Sequence, residues 1–223
     1  MIKNFVRGFS ALSFALASLL FAPAAQAAPA AEVTTLADAV GLVQITEENR
    51  TGYTRSSFKH WNSGADATDG CNTRNEVLIA EAVVAPTVGA GCKLTGGTWT
   101  SYYDGQEVNS AGALDIDHMV PLAESWDSGA SAWTAERREA YANDQGAHVS
   151  LVAVTARSNR QKSDQDPADW MPPSPDAECR YVGEWVSTKL RWQLTADDRE
   201  LEALKVYADG PCEDTIVRYT PAP

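Results

Sequence analysis

Residues 114–173 constrain the fold most, because two strand-like segments there precede a segment with a helix start signal. Residues 114–119 hold enough apolar side chains for a short strand. Residues 149–155 are apolar and β-branched, which is typical of a strand. Ser158 begins a capping-box pattern, which predicts a helix with Asn159 in its first turn. We therefore expect two antiparallel strands crossed by one helix.

The end of the first predicted strand carries Asp117 and His118. Side chains alternate along a strand, so both reach one cleft only if the strand ends or bulges there, and Pro121 favours that ending. The predicted helix would bring Asn159 to the same place. A carboxylate and an amide oxygen are ligands that Mg²⁺ accepts, and a neutral histidine can take a proton from water. These residue types suit phosphodiester hydrolysis assisted by a metal ion.

Three charged residues flank this set. Asp115 is expected either to assist His118 or to orient the metal ligands without binding the metal itself. Arg160 and Lys162 are expected to bind a substrate phosphate, assisted by the positive end of the helix. An ordinary solvated helix face is nearly as well supported for these two basic residues.

The two motifs resemble those of a known nuclease family. DIDHMVP (115–121) and NRQKSD (159–164) are similar to the motifs of HNH nucleases with a ββα-metal site, especially the HNH domain of CRISPR effector nucleases. Exported bacterial HNH-family endonucleases are the closer resemblance, since they share segments similar to DGCNTRNEVL, GTWTSYYDG and WVSTKLRW in this chain. By that comparison the resemblance covers about residues 50–208.

The resemblance implies an α+β fold with a ββα-metal core, surrounding helices and a small β-hairpin. It implies that His118 is the general base and that Asp117 and Asn159 bind Mg²⁺, with Mn²⁺ as the alternative metal. The family often has an asparagine in the second strand that orients the loop of the base. This chain has Ser150 there and His148 two residues earlier, and the sequence leaves open whether either side chain or the backbone takes that role.

A short hairpin is also predicted from local signals. Residues 93–95 and 98–101 flank Gly96-Gly97, a strong two-residue turn signal. Apolar residues at helical spacing predict a short helix near Leu36 and two helices after Cys179. A capping box at residues 73–76 predicts another helix, over about 74–84.

Residues 1–27 have the features of an export signal. A basic start precedes a short apolar run and a small-residue cleavage site before Ala28. Residues 28–35 are rich in alanine and proline and are expected to be a disordered spacer. We expect residues 36–223 to form a single secreted domain that is not held in a membrane.

The chain has four cysteines and no C-x-x-C spacing, which disfavours a zinc site. In an exported protein four widely spaced cysteines predict two disulfides, with three pairings open. We favour Cys71–Cys92 and Cys179–Cys212, because each pair brackets a local helical unit.

The formal net charge of −12 argues against tight binding to a polyanion. A local basic rim and a metal ion could offset this, which predicts weak, salt-sensitive binding with little sequence preference. The leading interpretation is an exported, monomeric, metal-dependent endonuclease that cuts DNA, with RNA as a second candidate substrate. A metal-dependent phosphodiesterase for small molecules and a non-catalytic exported binding protein are the alternatives.

Overall fold

The computed structural model describes residues 30–223. Its strands are β1 (Glu32–Thr35), β2 (Thr87–Gly89), β3 (Lys93–Thr95), β4 (Trp99–Ser101), β5 (Gln106–Val108), β6 (Leu114–His118), β7 (Leu151–Thr155) and β8 (Ile216–Tyr219). Its helices are α1 (Leu36–Val40), α2 (Thr73–Ala80), α3 (Leu122–Asp127), α4 (Ala135–Ala142), α5 (Ala156–Lys162), α6 (Glu178–Trp192) and α7 (Asp198–Ala208). The predicted signal peptide, residues 1–27, lies outside the described residues.

The strands form antiparallel pairs rather than one large sheet. β1 pairs with β8, β2 with β3, β4 with β5, and β6 with β7. Helices and small antiparallel sheets together confirm the predicted α+β class. Within residues 30–223, no helix is both long enough and apolar enough to cross a membrane.

The β6–β7 hairpin organises the centre of the fold. Its register runs from Leu114 opposite Thr155 to His118 opposite Leu151. The backbone N–H of Met119 adds one more hydrogen bond beyond the strand, at 3.0 Å. The two strands predicted from the sequence therefore pair as expected, and β6 ends at the histidine.

Helix α5 follows β7 without a connecting loop. The side chain of Thr155, the last residue of β7, caps the helix by accepting a hydrogen bond from the Ser158 N–H. The helix begins at Ala156, so the start predicted near Asn159 is about one turn late. Asn159 is the fourth residue of the helix, so its own N–H is not among the four unpaired N–H groups of the helix start.

The two faces of the hairpin enter different cores. The first core is formed by apolar residues of α2, β4, β6 and β7: Val77, Leu78, Trp99, Leu114, Ile116, Leu151 and Ala153. On the other face, Val152 and Val154 join the larger core around Trp185 of α6. α5 lies against this second face, which positions its side chains over β6.

Two local predictions are wrong in part. The spacer predicted to be disordered over 28–35 includes β1, which pairs with β8 near the far end of the chain. Local composition does not reveal a partner so distant in sequence. The strands beside Gly96-Gly97 are present, but they pair with β2 and β5 instead of each other, so the small hairpins turn elsewhere.

Both favoured disulfides, Cys71–Cys92 and Cys179–Cys212, are present. The first joins the residue before the cap of α2 to the start of β3, and the second joins the first turn of α6 to the loop after α7. Each disulfide closes a loop that would otherwise be free in the unfolded chain, which stabilises the fold by about 3 kcal/mol.

Candidate functional site

A surface cavity of about 350 Å³ opens where β6 ends. Asp117, His118 and Asn159 all line it, so the structure brings the three predicted site residues together. Tyr53 and Arg55 line the same cavity from a segment much earlier in the chain. The prediction that the end of β6 allows two neighbouring residues to reach one cleft agrees with this geometry.

The His118 ring is buried, and its Nε2 lies 3.0 Å from the Ala142 carbonyl oxygen. A carbonyl oxygen can only accept a hydrogen bond, so this contact assigns the ring proton to Nε2. Nδ1 then carries a lone pair. Burial lowers the pKa of His118 to about 3, so the ring is neutral at neutral pH. A fixed neutral imidazole is suited to accept a proton.

Aromatic side chains hold the His118 ring on both sides. Trp61 stacks on it with ring centres 5.4 Å apart, and Tyr141 lies 6.4 Å away in a nearly parallel plane. Trp61 has a φ of 59°, in the left-handed region that a bulky residue rarely adopts. Such backbone strain persists only where the surrounding structure imposes it. The sequence indicated only that this aromatic segment packs on the core.

Asp117 is buried, and one of its two oxygens is fully engaged. Oδ2 accepts from Lys162 Nζ at 2.5 Å and from the Tyr103 hydroxyl at 2.6 Å. Within residues 30–223 no hydrogen bond reaches Oδ1. The carboxylate is therefore held in orientation through Oδ2.

Lys162 is completely buried and holds the loop of the base. Besides Asp117, its amine donates to the backbone carbonyls of His118 at 2.9 Å and Met119 at 2.8 Å. Three acceptors match the three N–H groups of an ammonium, so the side chain is charged. This corrects the prediction that Lys162 binds phosphate, because its amine has no access to solvent or substrate.

Asn159 is oriented by Asp115. Its Nδ2 donates to Asp115 Oδ2 at 3.2 Å, which leaves the amide oxygen for another partner. Asp115 is thus a support for Asn159, one of the two roles expected for it. Arg160 lies beside the same carboxylate at 3.7 Å and is mostly exposed, so it can still reach a phosphate at the cavity.

The donor set fits a hard divalent cation. Asp117 and Asn159 bring a carboxylate and an amide oxygen to one cavity, and these are the oxygen types that Mg²⁺ or Mn²⁺ accepts together with water. Asp117 is held through Oδ2 by Lys162, and Asn159 is held through Nδ2 by Asp115. Such outer contacts orient metal ligands in proteins.

Ser150 and His148 were the two candidates for orienting the loop of His118, and the structure places them in different surroundings. The Ser150 carbonyl accepts from the Met119 N–H, and its hydroxyl donates to Asp144 at 2.7 Å. His148 is exposed and lines a different cavity. The backbone of Ser150, together with Lys162, therefore holds the loop of His118.

A segment from Arg50 to Trp61, here called the strap, covers one side of the cavity. Arg50 joins Asp127 at 2.5 Å to Asp164 at 2.7 Å, and Asp164 lines the cavity. Arg55 is exposed at the rim. Sequence reasoning did not select these residues, because the strap shows no regular period.

Comparison with known proteins adds a family and a location. An uncharacterized secreted protein of Arthroderma benhamiae is 37% identical over 164 residues, which make up 74% of this chain and 78% of that protein. The secreted relative and the two disulfides agree with the predicted extracellular location. No solved structure matches significantly.

Residues 89–205, more than half of the chain and including β6, β7 and α5, match the C-terminal domain of GmrSD restriction endonucleases. The chain therefore belongs to the GmrSD restriction endonuclease C-terminal domain family.

Proposed function

We propose that this extracellular protein is an HNH-type endonuclease that uses Mg²⁺ or Mn²⁺ to hydrolyse phosphodiester bonds in DNA. RNA is a second candidate substrate. The observation that carries the proposal is that His118, Asp117 and Asn159 line one open cavity, while each side chain is held through another of its polar atoms: Nε2, Oδ2 and Nδ2 respectively. The family match supports a nuclease independently of this geometry.

In the proposed mechanism, His118 removes a proton from the attacking water through Nδ1. The Nε2 contact with the Ala142 carbonyl keeps the ring in the required tautomer and stabilises it when it becomes protonated. A metal ion bound by Asp117 and Asn159 would supply positive charge to the scissile phosphate and the leaving oxygen. The protein residues would thus fix the base, the water and the metal ligands in one geometry.

Two exposed arginines offer contacts to the phosphates beside the cleaved bond. Arg160 extends from α5, and Arg55 extends from the strap on the other side of the cavity. Contacts to the backbone alone would give little sequence preference. Because the whole chain is acidic, we propose that binding relies on these local charges and weakens steeply with added salt.

Plasmid nicking in the presence of Mg²⁺ tests this proposal. We expect His118→Ala to reduce the nicking rate by about 10²–10⁴-fold, since it removes the proton acceptor. EDTA should abolish the activity of the wild type. His148→Ala is the matched control, because His148 is exposed in another cavity, and it should cleave at the wild-type rate.

Parallel assays with single-stranded RNA and with a small phosphodiester separate the alternatives. Cleavage of the small ester but not of plasmid would replace the endonuclease with a small-molecule phosphodiesterase. Wild-type rates in folded His118→Ala would overturn the proposed base. Intact plasmid with either metal would favour a binding protein.

A further inference from the structure

A second group of carboxylates lies apart from Asp117 and Asn159. Glu48 belongs to two overlapping acidic triads, and in each triad one oxygen per residue lies within 4.8 Å of the others. The first triad adds Glu124 and Asp127 of α3, and the second adds Asp166 and Asp197. Four separate parts of the chain therefore meet at Glu48.

Asp127, a member of the first triad, has a buried oxygen without a partner among residues 30–223. The residue is only 7% exposed, and its Oδ2 is bonded to Arg50. Its Oδ1 is buried and has no hydrogen-bond partner in the part of the chain that the structure describes. Buried carboxylate oxygens nearly always have a partner, because they lose hydration on burial. A ligand at this triad would satisfy the oxygen.

Other members of the group are also held through one oxygen. Asp166 Oδ1 accepts the N–H groups of Ala168 and Asp169, and Asp197 Oδ1 caps α7. Glu124 Oε1 accepts from Lys189 and from a serine hydroxyl. Glu124 also shares a hydrogen bond with the Glu48 carboxyl, whereas no donor among residues 30–223 is bonded to the second oxygen of Asp166 or Asp197. Anchoring of this kind orients ligand oxygens before an ion binds.

The charges are unbalanced as well. Five carboxylates meet here, whereas the basic groups bonded to them are Arg50 and Lys189, and Lys189 is shared with Glu200. All donors are hard carboxylate oxygens, the ligand type that suits Mg²⁺, Ca²⁺ and Mn²⁺. Ca²⁺ accepts six to eight irregularly placed oxygens at about 2.3–2.6 Å, so opposite ligands lie about 5 Å apart. The spacing within each triad is compatible with that size.

We propose that this group is a structural Ca²⁺ site. Glu48, Glu124 and Asp127 bind the ion, and Asp166 and Asp197 complete its surroundings directly or through water. The ion ties the segment just before the strap to α3, the start of α7 and the turn after α5. Because Arg50 connects Asp127 to Asp164 at the catalytic cavity, Ca²⁺ also steadies the strap that carries Tyr53 and Arg55.

Calcium titration of metal-free protein tests the site. The experiment uses Asn159→Ala as the background, so that the proposed catalytic metal does not contribute. Isothermal titration with CaCl₂ should show one site in this background and none after adding Glu48→Gln. In thermal unfolding, Ca²⁺ at 100 times its Kd should raise Tm by roughly 5 °C or more.

The choice of Glu48 keeps the test independent of folding, because this residue is exposed. Glu107→Gln is the matched control: Glu107 is an exposed glutamate of β5 outside both triads, and this variant should keep the full Tm rise. Asp127→Asn should bind Ca²⁺ more weakly. The same stoichiometry and Tm rise in Glu48→Gln would overturn the site, and an equal rise with Mg²⁺ would overturn its assignment to Ca²⁺.

Discussion

Lys162 and Lys189 are both fully buried, and their amines lie 5.7 Å and 5.6 Å from the centre of the same Trp185 ring. Lys189 contacts four oxygens, including carboxylates of Glu124 and Glu200, and ties α6 to its neighbours. Lys162 contacts one carboxylate and two backbone carbonyls at the end of β6. The two lysines thus have similar surroundings but different partners.

The hydrogen-bond networks of Lys189 and Lys162 differ in which parts of the molecule they connect. The partners of Lys189 belong to α3, α7 and the chain between α6 and α7, so its contacts hold structural elements together. Lys162 binds Asp117 through one carboxylate oxygen, and Asp117 lines the proposed catalytic cavity. We infer that the Lys189 network holds the helices together without contacting the proposed reacting groups, whereas the Lys162 network positions them directly.

Replacing each lysine with methionine gives the largest expected effects. Removing one partner of a buried ion pair leaves an uncompensated charge, so Lys162→Met and Lys189→Met should each lower the free energy of unfolding by about 3–5 kcal/mol. Only Lys162→Met should also reduce the nicking rate per folded molecule, by about 10²-fold, because Asp117 and the base loop shift. Urea denaturation and nicking corrected for the folded fraction measure both quantities.

A milder pair of variants applies if the methionine variants do not fold. Tyr103→Phe removes a hydroxyl that donates to Asp117, and Tyr102→Phe removes a hydroxyl that donates to Glu184. Each should cost about 1 kcal/mol of stability. Equal nicking rates for the two tyrosine variants, or for the two lysine variants, would contradict the division into structural and positioning networks.

The role of Lys162 could have been found from the sequence. Asn159 and Lys162 are three residues apart on a helix and share a face, while Asp115 and Asp117 share a face of a strand. These two spacings predict that the pairs Asp115–Asn159 and Asp117–Lys162 meet, as they do in the structure. Because the predicted helix begins about one turn too late, it places Lys162 near the exposed start of the helix instead.

Two further contacts of the candidate site could not be predicted from local sequence patterns. Trp61 stacks on His118 from 57 positions earlier, and Tyr103 reaches Asp117 from the turn between β4 and β5. The strap has no hydrophobic period that would place it. Tyr103 lies in the GTWTSYYDG segment of the resemblance, but that segment assigned it no role. The central strands, the helix after them and the meeting of Asp117, His118 and Asn159 followed from periodicity and motif spacing, which are local signals.

Asp115 provides the next test, because it orients a proposed metal ligand without holding the loop of the base. Asp115→Ala should weaken the apparent affinity for Mg²⁺ by about 10–100-fold, since Asn159 loses its hydrogen-bond partner. High Mg²⁺ should restore the nicking rate, whereas it should not restore Lys162→Met. Mg²⁺ titrations of nicking measure this, with exposed Asp214→Ala as the control. A loss that high Mg²⁺ leaves unchanged would place Asp115 in the positioning network.

Glu81 is a mostly buried carboxylate of a third kind, since it has no basic partner in the described part of the chain. Its carboxylate accepts the Ala153 N–H of β7 at 2.7 Å, and no lysine or arginine among residues 30–223 forms a salt bridge with it. Burial raises the pKa of Glu81 from 4.5 to about 7. The folded state therefore favours the protonated acid, so its stabilising contribution is complete below pH 4.5 and is lost as the pH rises to 7.

Between pH 5 and pH 8 the wild type should consequently lose about 1–2 kcal/mol more stability than Glu81→Gln, whose amide does not titrate in this range. Urea denaturation at the two pH values measures the difference. Glu200, whose pKa is also raised to about 7 by burial, is present in both proteins and cancels from the comparison. Parallel pH profiles for the two proteins would mean that Glu81 is ionised without cost, so a buried carboxylate here would need no lysine partner.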